Sequence, residues 1–83
     1  MELKVGTITH VYTKIGVAVV DLSEPLQIGD TIHISGHTTN LTQKVESMQV
    51  EHQKIERAEK GQTIGLEVTG EVREKDLVYK VTD

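Results

Sequence analysis

The sequence predicts an all-β domain, a small closed antiparallel β-barrel of about six strands filling residues 1–83 as one unit. Three observations carry this. First, Leu26-Gln27-Ile28-Gly29-Asp30 leads through a Gly-Asp corner into Ile32 and Ile34, apolar at every second position as in a half-buried strand. Second, Glu59-Lys60-Gly61-Gln62 repeats that grammar ahead of Ile64, Leu66 and Val68. Third, Phe and Trp are absent and only two Tyr are present, so the core must be built from Val, Ile and Leu. Those residues suit pleated strands, because branching at Cβ restricts χ1 and fills the space above a pleat.

Residues 3–12 read as the first strand, with Leu3, Val5 and Ile8 inward and a bulge or bend at Gly6-Thr7 where alternation breaks. Residues 15–22 are almost continuously apolar, the pattern of a strand covered on both faces or bent across a barrel. Ser23-Glu24-Pro25 ends it, since proline lacks the donor that a ladder needs. Gly29 supplies the positive φ of a tight turn, and Asp30 can bond nearby backbone as an Asx residue.

Ile32 and Ile34 then point inward, leaving His33 and Ser35 outward, and residues 36–40 form a polar hairpin tip. Residues 41–52 read as the longest strand, with Val45, Met48 and Val50 inward and a bulge near Ser47. Residues 53–62 are charged, with Ile55 and Ala58 at helical spacing, which predicts one helical turn plugging a barrel end. Residues 69–75 form a loop, and residues 77–81 close the barrel. No internal repeat or low-complexity tract is found.

The charge of −4 gives no general attraction to nucleic acid, although Lys44, Lys54, Arg57 and Lys60 are local basic positions. Cysteine is absent, which removes disulfides and thiolate metal sites. No apolar run has membrane-spanning length and Met1-Glu2-Leu3-Lys4 is no signal peptide, so a cytoplasmic location is expected. The chain has no phosphate-binding Gly-x-x-x-x-Gly-Lys-Ser/Thr loop and no Gly-x-Ser-x-Gly elbow. Neither catalysis nor a cofactor is expected. His10, His33, His37 and His52 show no ligand spacing, so no metal site is expected. Lys44, Glu46, Gln49 and His52 make a polar edge along the longest strand and are the candidate binding residues; a bulge beside Glu46 would re-aim its side chain.

Three motifs follow one another: Leu26-Gln27-Ile28-Gly29-Asp30, then Lys44-Val45-Glu46-Ser47-Met48-Gln49, then Ala58-Glu59-Lys60-Gly61-Gln62-Thr63-Ile64-Gly65-Leu66. Their order resembles the second domain of translational GTPases, the β-barrel that follows the G domain in elongation factor Tu and its relatives. Lys75-Asp76 stands where that family often has Gly-Asp before the last strand. The resemblance implies a non-enzymatic module that contacts RNA, transfer RNA, the ribosome or a translation protein. It also implies that Glu46 corresponds to a carboxylate at the pocket for the aminoacyl end of transfer RNA. With no GTPase domain present, any GTP-driven switch would belong to another protein. Similar barrels also occur as accessory domains on unrelated enzymes, including collagenase-like peptidases, so the alternative is a domain that docks onto a separate enzyme.

Overall fold

The computed structural model describes residues 1–82, and every regular element among them is a β-strand. In chain order these are β1 (Glu2–Tyr12), β2 (Val17–Leu22), β3 (Leu26–Gln27), β4 (Thr31–Ser35) and β5 (Asn40–Lys44), followed by β6 (Met48–Val50), β7 (Gln53–Ile55), β8 (Arg57–Ala58), β9 (Thr63–Glu67) and β10 (Leu77–Val81). Eight of them form one antiparallel sheet in the order β5-β4-β10-β1-β2-β9-β6-β7, and β3 pairs with β8 separately.

The all-β class stands, but the closed barrel does not: β5 and β7 end the sheet and are not paired with each other. The sheet is nevertheless forced to curl. Six ladder steps separate β5 from β6, about 29 Å in a flat sheet. The chain passes directly from Lys44 to Met48, and four Cα–Cα steps reach at most about 15 Å. Residues 45–47 therefore tie the two ends of the sheet together. Their backbone serves the turns: Gly29 N–H donates to the Val45 carbonyl at 2.9 Å, and Val45 N–H to the Asp30 carbonyl at 2.8 Å. The expected single strand over 41–52 is thus broken into β5 and β6, and the bulge foreseen near Ser47 is a crossing.

The helical turn expected in 53–62 is not present. Residues 53–55 pair back on β6 (Met48↔Ile55, Val50↔Gln53), and Ala58 pairs with Leu26. Hydrogen bonding to an available edge overrides a two-residue hint of helical spacing. Leu3 is 51% exposed rather than inward, while Val5 and Ile8 are buried. The irregularity expected at Gly6-Thr7 falls to either side of that pair: register slips lie between Lys4 and Gly6 against β10 and between Ile8 and His10 against β2. The terminal strand is central: β10 lies between β1 and β4.

The core is aliphatic and lies on the concave side. Ile8, Leu26, Ile32, Ile34, Met48, Ile64 and Leu66 are its largest fully buried side chains. Burying each is worth about 1.5–3 kcal/mol. Along β2 the buried residues are Ala18, Val20 and Leu22, so Val17 and Val19 are turned to the other face.

Three turns share one hydrogen-bonding scheme. At 27–30, 59–62 and 73–76 the first carbonyl accepts the fourth N–H at 3.1, 3.2 and 3.2 Å. In each, the fourth side chain (Asp30, Gln62, Asp76) accepts the first N–H, at 3.0, 2.7 and 2.8 Å. The third residue has positive φ in all three: Gly29 at 93°, Gly61 at 88° and Lys75 at 75°. A positive φ there is the signature of a type II turn, which normally takes glycine.

Candidate interaction face

The outward side chains of β2, β9 and β6 meet over a low point at Gly65, which pairs with Val19 on one side and Gln49 on the other. A Cβ at Gly65 would stand 3.1 Å from Gln49 Cγ and 3.3 Å from Val17 Cγ1, so those two side chains fold in over bare backbone. Glycine inside a strand commonly marks such a close approach. The result is an open groove of about 400 Å³ walled by Tyr12 and Ile15 from the β1–β2 hairpin. Ile15 was expected inside a strand, but it sits in the hairpin loop and is 66% exposed; Tyr12 is 50% exposed. The His10 ring meets Tyr12 edge-on, with centroids 4.5 Å apart, and holds one face of the phenol ring.

Across the groove, Glu51 and His52 form the two-residue loop between β6 and β7. Both have positive φ, 51° and 66°. That is the conformation of a type I′ hairpin, which ordinarily uses Asn-Gly or a similar pair. Each non-glycine residue held there costs on the order of 1–3 kcal/mol.

The four candidate binding residues do not share one edge. Gln49 and His52 line this groove. Glu46 lies in the crossing segment and borders a different hollow with Ile28, Met48 and Lys54. Lys44 is an exposed residue at the end of β5. The break between β5 and β6 separates them. Sequence reading missed Tyr12, Ile15, Glu51 and Gly65 as partners of one face: Ile15 was absorbed into an apolar run, and a two-residue turn without glycine or asparagine leaves no turn signal.

A second polar cluster lies around His33 on β4. Its Nδ1 is 3.0 Å from Glu2 Oε2 and its Nε2 is 2.6 Å from Asn40 Oδ1. The Glu2 hydrogen bond, reinforced by that to Asn40, holds the imidazole above its usual range against a smaller opposing effect of burial. Among the described residues, no three acidic or histidine side chains are grouped to hold a metal ion.

No protein-family model matches the chain. It is 40% identical over 79 residues to an uncharacterized protease of Methanocaldococcus jannaschii, covering 94% of this chain and 19% of that protein. It is 40% identical over 81 residues to a collagenase of Porphyromonas gingivalis, covering 95% of this chain and 20% of that protein. The chain thus spans about a fifth of the length of these curated relatives. Two expectations are corrected by these matches. The translation-factor resemblance, with its RNA-binding and translation-partner implications, gives way to relatives named as peptidases. The ordered Gly-polar turns and aliphatic strands behind it are a grammar of curled β-sheets in general. The expectation of a non-enzyme is also corrected, because proteins named protease and collagenase match nearly the whole of this chain, over about a fifth of their own length. Motifs missing from this stretch do not speak for proteins most of whose length lies outside it. In three dimensions the chain superposes on the C-terminal domain assigned to a U32 peptidase of Geobacillus thermoleovorans with a TM-score of 0.89 and 20% identity, covering 95% of this chain and 92% of that one. The fold of the chain is the fold of that peptidase-associated domain.

Proposed function

We propose that this chain serves as an accessory β domain of a collagenase-type peptidase, packing against the peptidase's catalytic region and working with it as one unit. The observation that carries this reading is 40% identity across nearly the whole chain to about a fifth of proteins named protease and collagenase. The fold likeness to a peptidase C-terminal domain supports the same attachment. Gln49 and His52, on the groove, are the candidate binding residues that this reading keeps.

The test is a full-length chimera of the Porphyromonas gingivalis collagenase in which its matched segment is replaced by this chain. If the domain packs on the peptidase, the chimera melts in one cooperative transition, above the melting temperature of the isolated chain. Two independent transitions, one coinciding with that of the isolated chain, would sink the reading.

A further inference from the structure

We propose that the Tyr12–Ile15 groove, with the Glu51–His52 hairpin at its rim, is the surface that receives the peptidase's catalytic region, taking an apolar side chain flanked by a lysine or arginine. The inference rests on the function proposed above and names the face through which it acts. Three independent features converge on it.

The first is exposure of apolar surface in one place. Among the described residues, Tyr12 and Ile15 are two of the five large apolar side chains that the fold leaves exposed, and both border this groove with Val17 and Val19. Contiguous apolar surface of this kind, rimmed by polar groups, marks interaction sites.

The second is strain. The Glu51-His52 turn holds two residues at positive φ where Asn-Gly would do so with little cost. Retained strain of this kind concentrates at sites where the side chains themselves are needed. Here they are a carboxylate and an imidazole facing the groove.

The third concerns the occupant. Among the groove-lining residues Glu51 is the one acidic group, with no lysine or arginine beside it, and the chain as a whole carries −4. A complementary face therefore offers a basic group opposite Glu51 next to an apolar one. The curated relatives carry about four-fifths of their length outside the matched stretch (100% less 19–20%). A covering body is available within one polypeptide, and contacts between domains of a chain are of this mixed apolar and polar kind.

The test uses the same chimera and the isolated chain, each carrying Ile15→Asp or the double change Glu51→Asn with His52→Gly. The isolated chain should keep its melting temperature with Ile15→Asp and gain several degrees with the double change, because the turn strain is relieved. In the chimera both variants should split the single transition in two, with Leu3→Ser, an exposed apolar residue elsewhere, as the control that does not. A chimera that stays cooperative with both variants overturns the groove assignment while leaving the proposed function standing. A wild-type chimera that already melts in two steps overturns both. Concentration-dependent dimerisation of the isolated chain, abolished by Ile15→Asp, would instead assign the groove to a second copy and overturn the proposal.

Discussion

Thr69 is fastened to Gln43 by two hydrogen bonds: its backbone N–H donates to Gln43 Oε1 at 2.8 Å and its hydroxyl to the same oxygen at 3.1 Å. The other half of that carboxamide donates from Nε2 to the Glu67 carbonyl at 2.9 Å. Gln43 lies on β5, at one end of the sheet, and Glu67 ends β9, close to the other. A side-chain amide thus offers the donor and acceptor of a peptide group where the ladder itself does not continue.

Replacing Gln43 by Ala should cost about 0.5–1.5 kcal/mol, the net worth of a typical hydrogen bond, since the exposed Glu67 carbonyl and Thr69 N–H lose their partner to water. Urea denaturation measures the loss, and hydrogen exchange should show Thr69 N–H losing protection ahead of the strand amides. Unchanged protection at Thr69 would show that the bridge contributes nothing.

Lys75 offers a stabilising change. It occupies at φ 75° the position that Gly29 and Gly61 fill in the two matching turns. Lys75→Gly should raise stability by about 0.5–1 kcal/mol, the relief of left-handed strain exceeding the added entropy of the unfolded chain. Gly61→Ala should do the reverse by about 1 kcal/mol, with no steric contribution because nothing lies within 4 Å of the added Cβ. Thermal melts of the two variants decide the matter.

His33 should make stability depend on pH. Its imidazole is held above the ordinary value of 6.5 by Glu2 and Asn40. A raised native value means that the charged ring favours the folded state. That contribution is complete below the unfolded value of 6.5 and is lost as pH rises through the higher folded one. Urea midpoints measured from about pH 5 to about pH 8 should fall across that window, and Glu2→Gln should flatten the fall. A flat wild-type profile would refute the link.

Gly36 should tolerate no side chain. A Cβ there would overlap the carboxylate of Asp76, which is 4% exposed and held by Arg73 N–H at 2.8 Å. Gly36→Ala should cost about 1–3 kcal/mol, the range of an overpacked interior. Since Gly36 follows β4 and Asp76 precedes β10, hydrogen exchange should show the damage concentrated in that strand pair.

Much of the fold was legible because its signals are local. Ile32 and Ile34, and Ile64 and Leu66, are buried as alternation requires, and Gly29-Asp30 forms the turn its residue types favour. The candidate site was legible only in part. Gln49 and His52 reach the groove, but Lys44 and Glu46 do not, because the chain crosses between sheet ends at residues 45–47.

Residue order alone therefore determined the strand-rich class, the aliphatic interior and the positions of the glycine corners, since each depends on the conformational preferences of a few neighbouring residues. Pairing decided the rest. An unpaired edge drew residues 53–58 into strands, the close approach of the sheet ends split the longest strand, and Lys75 took a glycine's conformation because Asp76 anchors its turn. These outcomes are set by hydrogen bonds and packing between segments far apart in the chain, for which local periodicity carries no signal.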